Sequence, residues 1–307
     1  MKRILWLSLF AVIGFVTYSQ SPRAVPASIN NTLLWRISGK NLVKPSYLFG
    51  TMHMLCADDI QLSDSLTNAI QNADNVYLEL DMDNLFEMMS AMTKMKMRND
   101  TTLADLLTKD EYEKVKAFFK ENSKMLPFSM LETFKPLLAA SMVMEQQAGK
   151  CENMISMEQL IMQQAKKDDV QIKGMESMEY QMSIFDSIPY SFQAKQLVKM
   201  VEDDNKDEES EMKQMTDAYR NQQLDKMEEM TKKEDMGIKK FTDLLLYNRN
   251  TAWAKKLEGL LAGNSLVIAV GAGHLPGEKG VINLLRKAGY KVEPVKNNMT
   301  RKKTKEI

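Results

Sequence analysis

Residues 265–274 of the 307-residue chain read Ser265-Leu266-Val267-Ile268-Ala269-Val270-Gly271-Ala272-Gly273-His274. A short, continuous apolar run bounded by polar and glycine residues predicts a strand that is buried on both faces. The same pattern occurs earlier, where the strand-like segment 46–49 is followed by Gly50 and, three residues later, by His53. The chain has only these two histidines, and both stand in a Gly-x-x-His frame after a predicted strand.

This repeated frame has a physical interpretation. Glycine lets the chain turn sharply as it leaves a strand, so each frame presents an imidazole at the carboxyl end of its strand. Open α/β sheets bind their ligands at that end. The two frames therefore predict one functional site that contains His53 and His274, although a histidine at a strand end can also be a purely structural residue.

Around these frames the chain alternates between strand and helix patterns. Gly39-Lys40-Asn41 lies between two strand-like segments and predicts a β-hairpin, and residues 63–73 have the apolar spacing of a helix. The predicted strands cover residues 33–38, 46–49, 76–80, 170–176, 265–270 and 290–295. This alternation predicts an α/β (α+β) fold, with a central mixed sheet formed by the N- and C-terminal parts of the chain and a large helical insertion between them.

Three segments between the strands are predicted to be helical. Residues from about 85 to 165 read as consecutive helices. Residues 203–235 are dominated by charged side chains, Gln and Met, and predict a long, largely solvated helix or helix pair. Residues 236–262 predict a more amphipathic helix that ends at Gly263. We interpret residues 20–307 as one domain that carries these helices.

Composition excludes several classes of protein. The 41 Lys and Arg balance the 41 Asp and Glu, so no overall basic field attracts phosphate, and no nucleic-acid partner is expected. Two cysteines, Cys56 and Cys151, permit at most one disulfide. A series of methionines has helical spacing, namely Met88, Met89, Met92, Met95 and Met97. Methionine at this spacing is more typical of an adaptable core than of a soft-metal site.

The amino terminus, residues 1–19, has the pattern of a secretory signal peptide. Basic residues precede an apolar run, and Thr17 and Ser19 are the small residues required for cleavage before Gln20. We therefore expect a secreted or periplasmic protein, with a membrane association only if this segment is retained as an anchor. In an oxidising compartment the two cysteines can pair. An inert thiol, or a nucleophilic Cys56 with histidine as its base, is the alternative.

Two carboxylates are predicted to lie at strand ends with the histidines. Glu79 stands in Leu78-Glu79-Leu80-Asp81, and Glu176 ends the segment Gly174-Met175-Glu176. Two imidazoles and one carboxylate, with one coordination position left open, form a catalytic set for a divalent metal that activates water. The second carboxylate would then act as the base. Each glutamate could instead be a cap or an ion-pair partner.

A set of motifs resembles a known protein family. The motifs are Phe49-Gly50-Thr51-Met52-His53, Leu78-Glu79-Leu80-Asp81, Met175-Glu176 with Gln181, Arg249-Asn250-x-x-Trp253, and Val270-Gly271-Ala272-Gly273-His274-Leu275-Pro276-Gly277. Across about residues 32–296 they resemble the TraB/GumN family, which includes the Tiki proteases, and the carboxyl-terminal block is the specific one.

The resemblance implies a metal-dependent hydrolytic site and a peptide or protein substrate. The implied metal ligands are His53 and His274, with Glu79 and Glu176 as carboxylate candidates, and the implied cofactor is a divalent ion, Mn, Co or Zn. The sequence departs from the family in the Met-rich, charged region 85–240. Because this region should shape the substrate cleft, the substrate of the Tiki proteases is not carried over.

Arg249 admits two interpretations. A guanidinium near a metal site could stabilise an oxyanion or hold a substrate carboxylate, or it could pair with Glu79 or Asp81 and lock a helix to the sheet. Asn250 and Trp253 are interpreted as packing and capping residues. The sequence thus predicts a peptidase-like metal-dependent hydrolase, and its list of catalytic residues is Glu79, Glu176 and Arg249. The alternative is a non-catalytic peptide-binding or regulatory protein of the same fold.

Overall fold

The computed structural model describes residues 31–84, 92–123, 126–147, 151, 153–202, 206–233 and 238–300. The predicted signal peptide at residues 1–19 lies outside these ranges, as do Met88 and Met89 of the methionine series. Within these ranges no helix has the length and apolar character needed to cross a membrane.

The sheet is mixed and has six strands in the order β6-β4-β7-β2-β1-β8. Its strands are β1 (Leu34–Ser38), β2 (Ser46–Thr51), β4 (Asn75–Leu78), β6 (Gln171–Gly174), β7 (Leu266–Gly271) and β8 (Lys291–Pro294). The four strands β6, β4, β7 and β2 are parallel, whereas β1 is antiparallel to both β2 and β8. This arrangement confirms the predicted fold class, because both parts of the chain contribute strands to one mixed sheet.

The position of β7 differs from the simplest expectation for consecutive strands. The strands β2 and β4 flank the predicted helix at residues 63–73 and follow each other in the main sheet along the chain, but β7 lies between them and pairs with each of them. All residues of β7 except Gly271 are buried. A strand that is apolar along its whole length is most stable in the centre of a sheet, where both of its faces are covered.

The predicted hairpin is present between β1 and β2. Gly39, Lys40 and Asn41 all have positive φ angles, of 79°, 44° and 63°, which a tight turn of this kind requires. The hairpin therefore forms where the glycine- and asparagine-containing turn predicted it.

The α-helices occupy most of the rest of the described chain. They are α1 (Asp64–Gln71), α2 (Leu103–Leu106), α3 (Lys109–Asn122), α4 (Phe128–Leu131), α5 (Pro136–Gln147), α6 (Met157–Lys167), α7 (Met178–Asp186), α8 (Tyr190–Glu202), α9 (Lys206–Arg220), α10 (Leu224–Lys233), α11 (Asn248–Leu260) and α12 (Val281–Lys287). The helices α2 to α5 form a core of their own with α8, in which Val115, Phe119 and Leu197 are buried. The main core surrounds the sheet.

The charged segment forms the helix pair α9 and α10, but it is not simply solvated. Ala218 and Tyr219 are completely buried, Leu224 and Met227 are nearly so, and all four belong to the main core. The Tyr219 hydroxyl donates a hydrogen bond to the carbonyl oxygen of Gly50 at 2.9 Å. The prediction of a largely solvated segment was therefore wrong for the end of α9 and the start of α10, because a few buried side chains anchor an otherwise charged helix pair.

The segment before β7 is more irregular than the single helix predicted for residues 236–262. It comprises a 3₁₀ turn at Ile238–Phe241, a π-helical turn at Asp243–Tyr247, and then α11. Such π turns are rare and often occur at functional sites. Here the π turn immediately precedes the helix that carries Arg249.

A second, small sheet connects the loop after β2 to the chain before α6. It pairs β3 (Leu55–Cys56) with β5 (Met154–Ile155), and a disulfide joins Cys56 to Cys151, whose Cα atoms are 5.9 Å apart. We call β3, β5 and this disulfide the clip. The disulfide leaves Cys56 without a thiol, which removes the interpretation of Cys56 as a nucleophile.

Candidate functional site

Four parallel strands, β2, β4, β6 and β7, end at one edge of the sheet, which we call the carboxyl edge. Leu78 at the end of β4 lies opposite both Gly174 of β6 and Ala269 of β7, so these strand ends are aligned. Glu79 follows β4, Glu176 follows β6 and His274 follows β7. As a result, these three side chains come together with Arg249 of α11. We call these four residues the Arg249 cluster.

Arg249 connects the two carboxylates of the cluster. Its Nη2 donates to Glu79 Oε2 and to Glu176 Oε1, both at 2.5 Å, and its Nε donates to Glu176 Oε1 at 2.9 Å. Its Nη1 donates to the carbonyl oxygen of Leu245, in the π turn, at 3.0 Å. The pairing with Glu79 agrees with the sequence-based alternative, but the second partner is Glu176 rather than Asp81.

His274 is buried, and its hydrogen bonds define its tautomer. The side-chain nitrogen of Asn250 donates to the carbonyl oxygens of Lys279 and His274, so its oxygen Oδ1 faces the ring and accepts from His274 Nδ1 at 2.5 Å. With the proton on Nδ1, the lone pair lies on Nε2, which is 3.3 Å from Arg249 Nη1 and 3.8 Å from Glu79 Oε1. The structure thus turns the basic nitrogen of His274 into the cluster.

Burial and charge give the three titratable groups different proton affinities. Burial lowers the pKa of His274 to about 4, so this imidazole is neutral near pH 7. Burial raises the pKa of Glu79, but electrostatic interactions with His274 and Arg249, together with the hydrogen bond from the Gly271 N–H, bring it below its ordinary value. Burial raises the pKa of Glu176 above its ordinary value in spite of Arg249. Pairs of carboxylates whose pKa values are separated in this way are typical of acid–base sites.

The two glycines of the Gly-x-x-His frames allow close approach rather than an unusual backbone angle. A Cβ atom on Gly50 would lie 2.8 Å from Leu275 Cδ1 and 3.1 Å from Ala272, and one on Gly271 would lie 3.1 Å from Glu79 Oε1. Neither glycine has a positive φ angle. The frames therefore recur because side chains from the neighbouring strand ends pack directly against both backbones, and not because the chain needs glycine in order to turn.

His53 lies at the carboxyl edge after β2, in different surroundings. Thr51 lies opposite Gly271, which aligns the end of β2 with that of β7. The His53 side chain is 65% exposed, and its Nδ1 lies 3.1 Å from Oε1 of Glu158, near the start of α6. The predicted pair of histidines thus shares an edge, while each imidazole has a partner of its own.

Several residues of the site were not assigned a role in it from the sequence. Asn250 and Trp253, interpreted as packing and capping residues, bond to the site, since Trp253 Nε1 donates to Glu176 Oε2 at 3.0 Å. Gln181 of the Met175–Gln181 motif donates to Glu79 Oε2 at 3.4 Å. Glu158 had no sequence signal, because it is one of many charged residues in the helical region.

The donor chemistry of Glu79 and His274 suits a divalent cation. A neutral imidazole with an oriented lone pair and an ionised carboxylate are common ligands, and a separation of 3.8 Å between Nε2 and Oε1 is compatible with two metal bonds of about 2.1 Å. Asn250 holds the other ring nitrogen, as partners of metal-binding histidines do. In the part of the chain that the structure describes, no group of three or more His, Cys, Asp or Glu side chains is arranged to hold a metal ion.

Comparisons with known proteins identify related sequences. The profile of the TraB/PrgY/gumN family matches residues 33–294, which include all six strands of the sheet. The protein named Metalloprotease TIKI2 from Danio rerio is 22% identical over 346 aligned residues, covering 89% of this chain and 63% of that protein. The chain therefore spans less than two thirds of the length of this relative. No solved structure matches the chain.

Proposed function

Because the chain belongs to the TraB/PrgY/gumN family, we propose that it is a metal-dependent hydrolase of peptides or proteins that acts at the carboxyl edge of the sheet. The observation that carries the proposal is the orientation of His274, whose neutral Nε2 points at Glu79 beside a buried guanidinium. A core that needed only packing at this position would not require a buried, oriented base next to two carboxylates. The similarity to a protein named a metalloprotease supports the same reaction class.

The residues of the Arg249 cluster have distinct roles in this proposal. Glu79 has a lowered pKa and stays ionised, so with His274 it would hold the cation, and His53 would be the third ligand. Glu176 has a raised pKa and would take the proton of the attacking water. Arg249 provides positive charge for the oxygen that becomes negative as water adds to the substrate carbonyl. When bound, a divalent ion such as Mn, Co or Zn polarises that carbonyl and activates water.

Elemental analysis and calorimetry test the metal part of the proposal. Chelator-free protein should take up one equivalent of Mn²⁺, Co²⁺ or Zn²⁺, and H274A and H53A should lose this binding, because single imidazoles bind divalent ions weakly. The control E258Q changes an exposed glutamate of α11, the helix that carries Arg249, and should bind as the parent does. Metal uptake by H53A and H274A equal to that of the parent would contradict the proposal.

A peptide-library digest tests the reaction itself. The parent with its metal should cleave a subset of peptides, and added chelator should stop cleavage. E79Q should lose both metal and turnover, whereas E176Q should keep the metal and lose turnover, because one residue is assigned as a ligand and the other as a base. If E176Q turns over at the parental rate, Glu176 is not the base.

Peptide binding without turnover is the second candidate function. It is favoured by the hydrogen bonds of Arg249, which engage both carboxylates of the cluster and could make them purely structural. A protein that retains library peptides on a column, with or without metal, and releases them uncleaved would support this function and exclude the hydrolase.

We also propose that the protein is exported, with residues 1–19 removed before Gln20. The Cys56–Cys151 disulfide supports an oxidising compartment. Mass spectrometry of protein from its natural host should give the mass of a chain that starts at Gln20. A mass that includes Met1 would instead favour retention of the segment as a membrane anchor.

A further inference from the structure

The surroundings of His53 contain a carboxylate that the proposed reaction does not use. Glu158 lies in the first turn of α6, and its side chain is 15% exposed while the ring it contacts is 65% exposed. Burial raises the pKa of Glu158, but the groups around the carboxylate, His53 foremost, together bring it below its ordinary value. A mostly covered carboxylate therefore lies directly against one imidazole at the carboxyl edge, with 3.1 Å between Glu158 Oε1 and His53 Nδ1.

The clip places Glu158 next to His53. The N–H of Met157 donates to the carbonyl oxygen of Met52 at 3.1 Å, Leu55 pairs with Ile155, and the disulfide closes the far end of the clip. Each element of this connection lies within a few residues of either His53 or Glu158. The two side chains are thus held together by backbone hydrogen bonds and a covalent bond, and not only by their own contact.

The second oxygen of Glu158 indicates that this position is not optimised for stability alone. Thr51 lowers the pKa of Glu158 further, yet neither Thr51 Oγ1 nor Glu158 Oε2 makes a hydrogen bond of normal geometry within the described residues. A buried polar atom without a hydrogen bond destabilises the folded state. Glu158 therefore occupies an unfavourable position, and the described partner of its other oxygen, Oε1, is His53.

We infer that Glu158 is a positioning residue for His53, holding its Nδ1 so that Nε2 carries the lone pair that acts at the carboxyl edge. The inference rests on the proposed function, in which His53 contributes to the site. A carboxylate that accepts from one ring nitrogen fixes both the tautomer and the orientation of the ring. Glu158 would thereby hold Nδ1 of His53 as Asn250 holds Nδ1 of His274, but with a charged carboxylate instead of a neutral amide.

Nitrogen-15 NMR of histidine-labelled full-chain protein measures this directly. The chain has only two histidines, so the spectrum contains two imidazoles, and H53A assigns them. At about pH 8.5, where an ordinary imidazole is neutral, His53 of the parent should be protonated on Nδ1. E158A should shift His53 towards the Nε2-protonated tautomer that a free imidazole prefers, whereas E158Q should keep the parental tautomer, because its amide oxygen still accepts from Nδ1.

The control is Q163A, which changes an exposed residue of the same helix and should leave both imidazole signals unchanged. The His274 signal reports folding in every variant. If E158A does not fold, the parent and E158Q decide the question. An Nε2-protonated His53 in the parent, or a parental His53 signal in folded E158A, would overturn the inference.

Metal affinity separates this inference from the proposed function. Loss of a partner that orients a metal ligand typically weakens metal binding about 10- to 100-fold, so E158A should bind the metal of the parent that much more weakly, with E158Q between the two. If the tautomer changes in E158A but the parent itself takes up no metal and cleaves no peptide, the positioning role stands and the hydrolase proposal fails.

Discussion

The two Gly-x-x-His frames have the same sequence pattern and follow adjacent parallel strands, yet the structure places their histidines in opposite environments. The side chain of His274 is 6% exposed and its Nδ1 is held by a neutral amide, whereas that of His53 is 65% exposed and its Nδ1 is held by a carboxylate. The difference shows that the frame determines where an imidazole is presented, while the surrounding tertiary structure determines how deeply it is buried and which group it contacts.

The largest effect on stability is expected from R249A, which changes the surroundings of the buried His274. This change leaves Glu79 and Glu176 buried without their cation, and breaking a buried pair in this way costs about 3–5 kcal/mol. Urea unfolding monitored by circular dichroism measures the loss. The control K40A removes an exposed ion pair with Glu258 and should change the free energy of unfolding very little. Equal stability of R249A and the parent would mean that the cluster is not buried as described.

The position of the exposed His53 should depend instead on the disulfide of the clip. Replacing both Cys56 and Cys151 with Ser removes a crosslink between residues separated by 95 positions, and such crosslinks typically contribute about 2–4 kcal/mol. The variant should unfold at lower urea and should no longer respond to reductant. Its His53 signal should broaden while that of His274 stays sharp. A parent whose stability is insensitive to reductant would contradict this assignment.

The pH dependence of stability should report the buried imidazole. The pKa of His274 is about 4 when folded and near 6.5 when unfolded, so the unfolded chain binds more protons as the pH falls from 6.5 towards 4. Stability is therefore complete above this window and decreases within it, by about 2 kcal/mol between pH 7 and pH 5 for this group. H274Q should show a weaker dependence than the parent, and the control Q163A, at an exposed residue of α6, should retain the parental slope. A parental slope in H274Q would assign the dependence to other groups.

The smallest effect on stability is expected from H53Q. The ring is largely exposed, and a glutamine amide can still donate a hydrogen bond to Glu158, so the free energy of unfolding should change by about 1 kcal/mol or less. H274Q should lose more, because it removes a buried side chain that contacts Asn250 and Trp253. If the two variants are equally stable, the contrast between the frames does not extend to folding energetics.

Much of the fold followed from local sequence patterns. Strand character at β7, the hairpin turn at Gly39-Lys40-Asn41 and the strand-end positions of Glu79 and Glu176 were all predictable, because each depends on residues close together in the chain. The insertion of β7 between β2 and β4 was not predicted, since strand order depends on which apolar strand is most stable at the centre of the sheet. The burial of Tyr219 was missed because four core side chains are a weak signal in a charged segment.

By itself, the sequence determined that two histidines and two carboxylates leave predicted strands at their carboxyl ends, and that glycine precedes each histidine by three residues. Only the tertiary structure decided their partners, which are Asn250 for His274, Glu158 for His53 and Arg249 for both strand-end carboxylates. The physical reason is that tautomer, charge and pKa depend on distances of a few ångströms between groups far apart in the chain. Those distances depend on the alignment of the parallel strands and on the π turn that directly precedes α11. They also depend on the clip, which joins the chain before α6 to the loop after β2.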